Sequence, residues 1–95
     1  MTDALWTKYA DCTKATRQAL ADLCEYLATN PSSDGFSLAL AEAWRLRIVQ
    51  EDTVATAGMV ERSTANRWLN GAAKPSKLQQ VVVMREVAKL CRACV

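Results

Sequence analysis

The chain has 95 residues, of which 51% are hydrophobic and 23% are charged, with only three Gly and two Pro. A chain of this length is expected to form one domain, residues 1–95, and this composition excludes the collagen-like, low-complexity and disordered classes. The net charge is only +2, so the distribution of charge along the chain is more informative than its total.

The absence of histidine and the absence of long apolar runs exclude several function classes. Without histidine the chain lacks the commonest general base and metal ligand, and we expect no enzymatic activity and no cofactor. The longest charge-free runs, residues 26–33 and 53–60, have eight residues each, well below the ~20 that cross a bilayer, so no membrane partner is expected. The first six residues lack the pattern of a secretory signal, which predicts a cytoplasmic protein.

Four cysteines, at positions 12, 24, 91 and 94, are expected to remain reduced in such a compartment. The Cys91–Cys94 spacing matches half of a zinc site. Cys12 and Cys24 cannot complete that site, because one rigid helix would hold them about 18 Å apart. We therefore predict no metal, with Cys12 and Cys24 in the core and Cys91 and Cys94 as thiols at a frayed helix end.

Charge is polarised along the chain. Residues 1–35 contain three basic and five acidic residues, a net charge of −2, whereas residues 62–95 contain seven basic residues and only Glu86, a net charge of +6. A basic segment of this kind is typical of proteins that bind an anionic partner such as nucleic acid.

A long amphipathic helix is predicted over residues 3–29, which contain no Gly or Pro. Asn30-Pro31 ends it, because proline disfavours the helical conformation of the preceding residue. Its apolar residues recur at spacings of three and four and form two neighbouring lines, which are Leu5, Tyr9, Cys12, Ala15, Ala19, Leu23 and Tyr26, and Leu20, Cys24 and Leu27.

The remaining elements are predicted as a loop and four shorter helices. The loop covers residues 30–37, and Ser37 is expected to cap a helix over 38–49. A short helix over 53–57, capped by Asp52, is expected to end at Gly58. A helix over 61–70 should bury Ala65, Trp68 and Leu69, with Gly71 in the left-handed conformation after it. Ser76 and Gln79 form a capping box for a last helix that extends to about Leu90. The sequence thus predicts an all-α, five-helix bundle in which a helix-turn-helix core, residues 37–92, follows an amino-terminal helix, residues 1–30.

The segment Arg62-Ser-Thr-Ala-Asn-Arg-Trp-Leu-Asn-Gly71, followed by Lys74-Pro-Ser76, resembles the recognition helix and exit turn of the lambda-repressor-like family of helix-turn-helix DNA-binding proteins. The resemblance covers roughly residues 38–90. It depends on the spacing of Trp68, Gly71, Pro75 and Ser76. A family glycine before the recognition helix has no counterpart at the usual distance, so either the turn is one residue longer or Met59 takes the glycine position. At the start of the first motif helix the family usually has glutamine, whereas this chain has Glu51 followed by Asp52. Acids at this place would repel phosphate.

The resemblance implies that the helix over 61–70 enters the major groove of double-stranded DNA. Exposed residues of that helix would contact bases, and residues around it would contact phosphates. The base-contact candidates are Arg62, Ser63, Asn66 and Arg67, and the phosphate-contact candidates are Thr53, Asn70, Lys74 and Lys77.

These observations predict a small sequence-specific DNA-binding transcriptional regulator of the repressor-like kind found in phages and mobile elements. Operators are commonly read by two-fold dimers, so we expect a homodimer, with residues 1–30 as a dimerisation element or a surface for another protein. The alternative is a non-enzymatic helical protein-binding module, an inhibitor or antitoxin-like adaptor, in which the helix-turn-helix is architectural.

Overall fold

The computed structural model describes the backbone of residues 2–93 and the side chains of residues 15–93. These residues contain five α-helices and no strand, which confirms the predicted all-α, five-helix architecture. The helices are α1 Thr2–Thr29, α2 Ser33–Arg45, α3 Glu51–Gly58, α4 Arg62–Leu69 and α5 Lys77–Ala93.

The predicted loop over 30–37 is shorter in the structure, where residues 30–32 alone connect α1 and α2, and the predicted cap at Ser37 is wrong. Helix α2 begins at Ser33, with Ser32 as its N-cap, whose Oγ accepts a hydrogen bond of 3.2 Å from the Gly35 amide. Because α2 begins at Ser33 and not after Ser37, Phe36 is helical and points into the core, where it is 1% exposed. The burial of this ring and the cap at Ser32 favour a helix where the local composition favours a loop.

The short connections of the motif differ from the predicted boundaries by one or two residues. Asp52 does not cap α3, which begins at Glu51 after Gln50 and has no side-chain cap. Gly58 is the last residue of α3, and Met59 adopts the left-handed conformation with φ 55°. Of the two alternatives for the turn, therefore, Met59 takes the glycine position. Helix α4 is one residue shorter at each end than predicted, with Glu61 and Asn70 as its caps.

Two predicted helix-end signals are confirmed. Gly71 has φ 73° directly after α4. The Ser76 Oγ accepts from the Gln79 amide at 3.3 Å, and the Gln79 side chain accepts from the Ser76 amide at 3.2 Å, which completes the capping box. Helix α5 continues to Ala93, beyond the predicted end at Leu90.

The core is centred on α1 and α5, which form the most extensive helix pair. Of the two predicted apolar lines on α1, the line that contains Leu20, Cys24 and Leu27 is buried. Ala15, Ala19, Leu23 and Tyr26 of the other line are exposed. Leu5, Tyr9 and Cys12 lie outside the described side chains.

An ion-pair cluster joins the carboxyl-terminal parts of the same two helices. The Arg92 guanidinium on α5 donates to the carboxylates of Glu25 at 2.7 Å and Asp22 at 3.0 Å on α1. These hydrogen bonds raise the pKa of Arg92 above its usual range, and the bond to Glu25 contributes most. Because all three side chains are largely exposed, the cluster contributes little to stability.

Candidate nucleic-acid interface

Helices α3 and α4 pack closely because small residues line their crossing. Ala55 on α3 and Ala65 on α4 are both buried, and Trp68 and Leu69 fill the space on the inner side of α4. The Trp68 ring meets Phe36 edge-on, with ring centroids 6.4 Å apart and planes at 82°, an arrangement that aromatic pairs prefer. The predicted inward residues of α4 are therefore confirmed.

The outward face of α4 carries three exposed polar residues. At 100° per residue, Ser63, Arg67 and Asn70 lie opposite the buried Trp68 side, and all three are exposed. Two of these residues, Ser63 and Arg67, are base-contact candidates. Asn70, a phosphate-contact candidate, shares this face at the end of the helix.

The other two base-contact candidates are turned toward the amino-terminal turn of α3. The Arg62 Nε lies 2.8 Å from Asp52 Oδ1. The Asn66 Nδ2 donates to Glu51 Oε1 at 3.2 Å. Both side chains therefore have acidic partners within the motif, and each would have to exchange such a partner to bind a base edge.

A chain of carboxamide hydrogen bonds extends from Asn66 to the end of α4. The Asn70 Nδ2 donates to the Asn66 main-chain oxygen at 3.0 Å and to the Asn66 Oδ1 at 2.9 Å. An amide nitrogen carries two hydrogens, so both donors of Asn70 are used within α4. Its remaining polar atom is an acceptor, and a contact with phosphate would require one of these bonds to open.

The remaining phosphate-contact candidates are not brought to one surface by any contact of the described residues. Thr53 is half-buried and lines a groove of about 510 Å³ that is shared with the carboxylates of Asp52 and Glu86. Lys74 is exposed and lies 3.5 Å from Asp34, at the start of α2. Lys77 is exposed at the first position of α5.

The pairing of the acidic residues at the start of α3 with polar residues of α4 is the feature that the sequence does not predict. The sequence shows acids at positions 51 and 52, but it does not show that they pair with Asn66 and Arg62. A second groove, of about 830 Å³, lies over the turn between α3 and α4 and is lined by Asp52, Glu61 and Arg62 among others. A signal for the pairing was present, because acids at the start of α3 and polar residues at the start of α4 meet when two helices cross through a short turn.

Two of the cysteines occupy the core, and for Cys91 the predicted position at a frayed end is wrong. Cys24 on α1 and Cys91 on α5 are both fully buried, because Cys91 lies on the face of α5 that packs against α1. Burial, with smaller contributions from Cys91 and Glu25, raises the pKa of the Cys24 thiol to about 12. Cys94 lies outside the described residues. Within residues whose side chains are described, no group of three or more potential ligands could hold a metal.

Comparisons of this chain with protein-family models, with curated proteins and with solved structures found no match. In the described part of the chain, no helix combines the length and apolar character needed to cross a membrane.

Proposed function

We propose that this protein is a sequence-specific DNA-binding transcriptional regulator that inserts α4 into the major groove. The observation that carries the proposal is the two-sided character of α4, which buries Ala65, Trp68 and Leu69 against the other helices and exposes Ser63 and Arg67 on the opposite side. A short helix held in this way after a tight turn can present polar side chains to base edges. The net charge of +6 over residues 62–95 supports an anionic partner.

Arg67 is the residue that we expect to contribute most to base recognition. Its exposed guanidinium can donate two parallel hydrogen bonds to guanine, worth ~1 to 3 kcal/mol of discrimination. Ser63 lies beside it on the same face and can donate or accept. Arg62 and Asn66 would join the base contacts after exchanging Asp52 and Glu51 for base edges.

The acidic partners of Arg62 and Asn66 affect how tightly this interface binds DNA. Carboxylates at the start of α3 repel phosphates, so they weaken binding to every sequence alike. Base contacts to an optimal site can offset that repulsion, whereas non-specific DNA offers no such compensation. Under this proposal Thr53, Asn70, Lys74 and Lys77 contact phosphates at the edges of the site, with Asn70 releasing a donor from Asn66.

The alternative, a helical module that binds another protein and uses the helix-turn-helix as architecture, is favoured by one observation. Arg62 and Asn66 are already paired with Asp52 and Glu51, which is the arrangement expected of a surface with no nucleic acid to bind. The two functions differ in salt dependence, because binding that neutralises several phosphates weakens steeply as salt rises.

Selection of bound fragments from a random duplex pool tests the proposal. We expect one sequence motif to be enriched, and Arg67→Ala to weaken binding to it by ~1 to 3 kcal/mol with unchanged helicity. Arg85→Ala is the matched control, since it removes an equal charge from an exposed position on α5 and should change affinity much less. No enrichment, or equal losses for the two variants, would contradict the proposal.

A further inference from the structure

Three of the seven basic residues in the segment 62–95 take no part in the proposed DNA interface. The other four are base-contact or phosphate-contact candidates, whereas Arg85, Lys89 and Arg92 lie on α5, which does not pack against α4. At 100° per residue, these three side chains point to one side of α5, within an arc of about 60°. All three residues are exposed. The basic segment therefore presents a second group of cations on a separate helix.

The three cations border a groove between α1 and α5. The groove has a volume of about 460 Å³ and is also lined by Ala28 and Ala88, among others. Arg92 is already bound by the α1 carboxylate that lines the groove. In the described part of the chain, Arg85 and Lys89 form no ion pair. The groove therefore places two unpaired cations beside small apolar side chains.

The same side of α5 carries two exposed apolar residues nearer its amino terminus. The side chains of Leu78 and Val82 are 75% and 43% exposed. Positions 78, 82, 85, 89 and 92 alternate in spacing between four and three, which is the spacing of a seam that a second helix can cover. All five residues are exposed and lie within α5. This surface, the α5 face, is thus apolar at one end and basic at the other.

We propose that the α5 face binds an acidic amphipathic helix of another protein. The aliphatic residues of that helix cover Leu78 and Val82, and its carboxylates pair with Arg85 and Lys89 beside the groove. Charge complementarity selects this occupant, because two exposed cations without partners attract an acidic surface. The hydrogen bonds from Arg92 to α1 are an example within the chain, since there a neighbouring helix already supplies carboxylates to this face.

The mixed character of the α5 face favours a protein over a nucleic acid. Protein interfaces combine an apolar centre with charged residues at the rim. A phosphate backbone would pair with Arg85 and Lys89, but it would leave the exposed side chains of Leu78 and Val82 without apolar contacts. The α5 face shares no residue with the DNA-contact candidates, so this inference does not depend on the proposed function.

The first test is a selection from a displayed library of random helical peptides, with the full chain as the target and no DNA present. We expect enriched peptides to carry Asp or Glu in one half of the helix and aliphatic residues in the other. The same selection against the double variant Arg85→Glu, Lys89→Glu should not enrich them. Enriched peptides without an excess of acidic residues, or no enrichment, would overturn the proposal.

The second test measures the dissociation constant of one enriched peptide by fluorescence anisotropy. Arg85→Glu should raise this constant by about tenfold or more, and lysine in place of the peptide's glutamates should restore binding to that variant. Arg47→Glu makes the same change of charge at an exposed position between α2 and α3 and should have little effect. Circular dichroism verifies that both variants are folded. Equal losses for the two variants would overturn the proposal, because they would indicate a general attraction between an acidic peptide and a basic chain.

The third test separates the acidic helix from two other occupants of the α5 face. Arg85→Glu should weaken binding to a random duplex no more than Arg47→Glu does. A greater loss for Arg85→Glu would make the face a phosphate-binding surface. Sedimentation velocity detects the second case, a dimer of the wild type that Arg85→Glu dissociates, which would make the face an interface between copies of this chain. Either result overturns the proposal.

Discussion

The Cα of Gly58 faces the indole ring of Trp68 at the crossing of α3 and α4. A Cβ placed on Gly58 would lie 2.6 Å from Cζ3 and 2.9 Å from Cη2 of that ring, closer than nonbonded carbon atoms approach one another. Gly58 is helical and its freedom of backbone conformation is not used. Its role is to let the two helices approach, and so to set the position of α4.

Gly58→Ala should lower the free energy of unfolding by ~1 to 3 kcal/mol, because the added methyl group overpacks against Trp68. Urea denaturation measures the change. In a Trp68→Phe background the smaller ring leaves room for the methyl group, so the cost of Gly58→Ala should shrink. A cost that is equal in both backgrounds would mean that the two residues are not coupled.

Met59→Gly should raise the free energy of unfolding by about 0.5 to 1 kcal/mol. Met59 has φ 55°, a conformation that is costly for a residue with a Cβ, and its side chain is 91% exposed, so little packing is lost. Met59→Ala keeps the Cβ and should change stability much less. If thermal unfolding shows the two variants to be equal, the left-handed turn contributes no strain.

Alkaline pH should destabilise the fold through Cys24. The pKa of this thiol is raised from 9.0 to about 12 in the folded chain, so between these values the unfolded chain has released a proton that the folded chain retains. Stability is therefore lost as pH rises from about 9 to about 12, with a slope of at most ~1.4 kcal/mol per pH unit from this group. Cys24→Ala should lower stability at neutral pH and flatten the alkaline slope, which denaturation at several pH values measures. Parallel slopes would exclude Cys24 as the source.

Glu51→Gln should increase DNA affinity severalfold, by about the same factor for random sequence and for a selected site. The substitution removes a charge that would repel phosphate, while the glutamine oxygen can still accept from Asn66. Fluorescence anisotropy with a random duplex and with the selected duplex measures the two dissociation constants and their ratio. Glu42→Gln, which makes the same charge change on α2, provides the comparison, and equal effects of the two variants would indicate a general effect of net charge.

Local signals in the sequence predicted more of this fold than of its candidate site. The Ser76–Gln79 capping box and the turn at Gly71 could be predicted because each depends on residues within a few positions. Spacing also identified both apolar lines of α1. Periodicity cannot say which line is covered, because that depends on where α5 packs; among the described side chains, the members of the line that contains Leu23 are exposed.

The errors arise where distant residues decide the local structure. Helix α2 begins at Ser33 because Phe36 packs in the core. The loop-like composition around Pro31 does not reveal that packing. The pairing of Glu51 with Asn66 depends on how α3 crosses α4, and so could be anticipated only from the geometry of the motif.

The pairing of α1 with α5 also determines when the chain can fold. The buried face around Cys24 is covered by residues such as Val87 and Cys91, which are synthesised more than sixty positions later. Until α5 has left the ribosome, both apolar lines of α1 are open to water. Contacts of such high sequence separation slow the folding of small domains. Helix α1 can therefore complete its packing only after α5, Lys77–Ala93, has been synthesised.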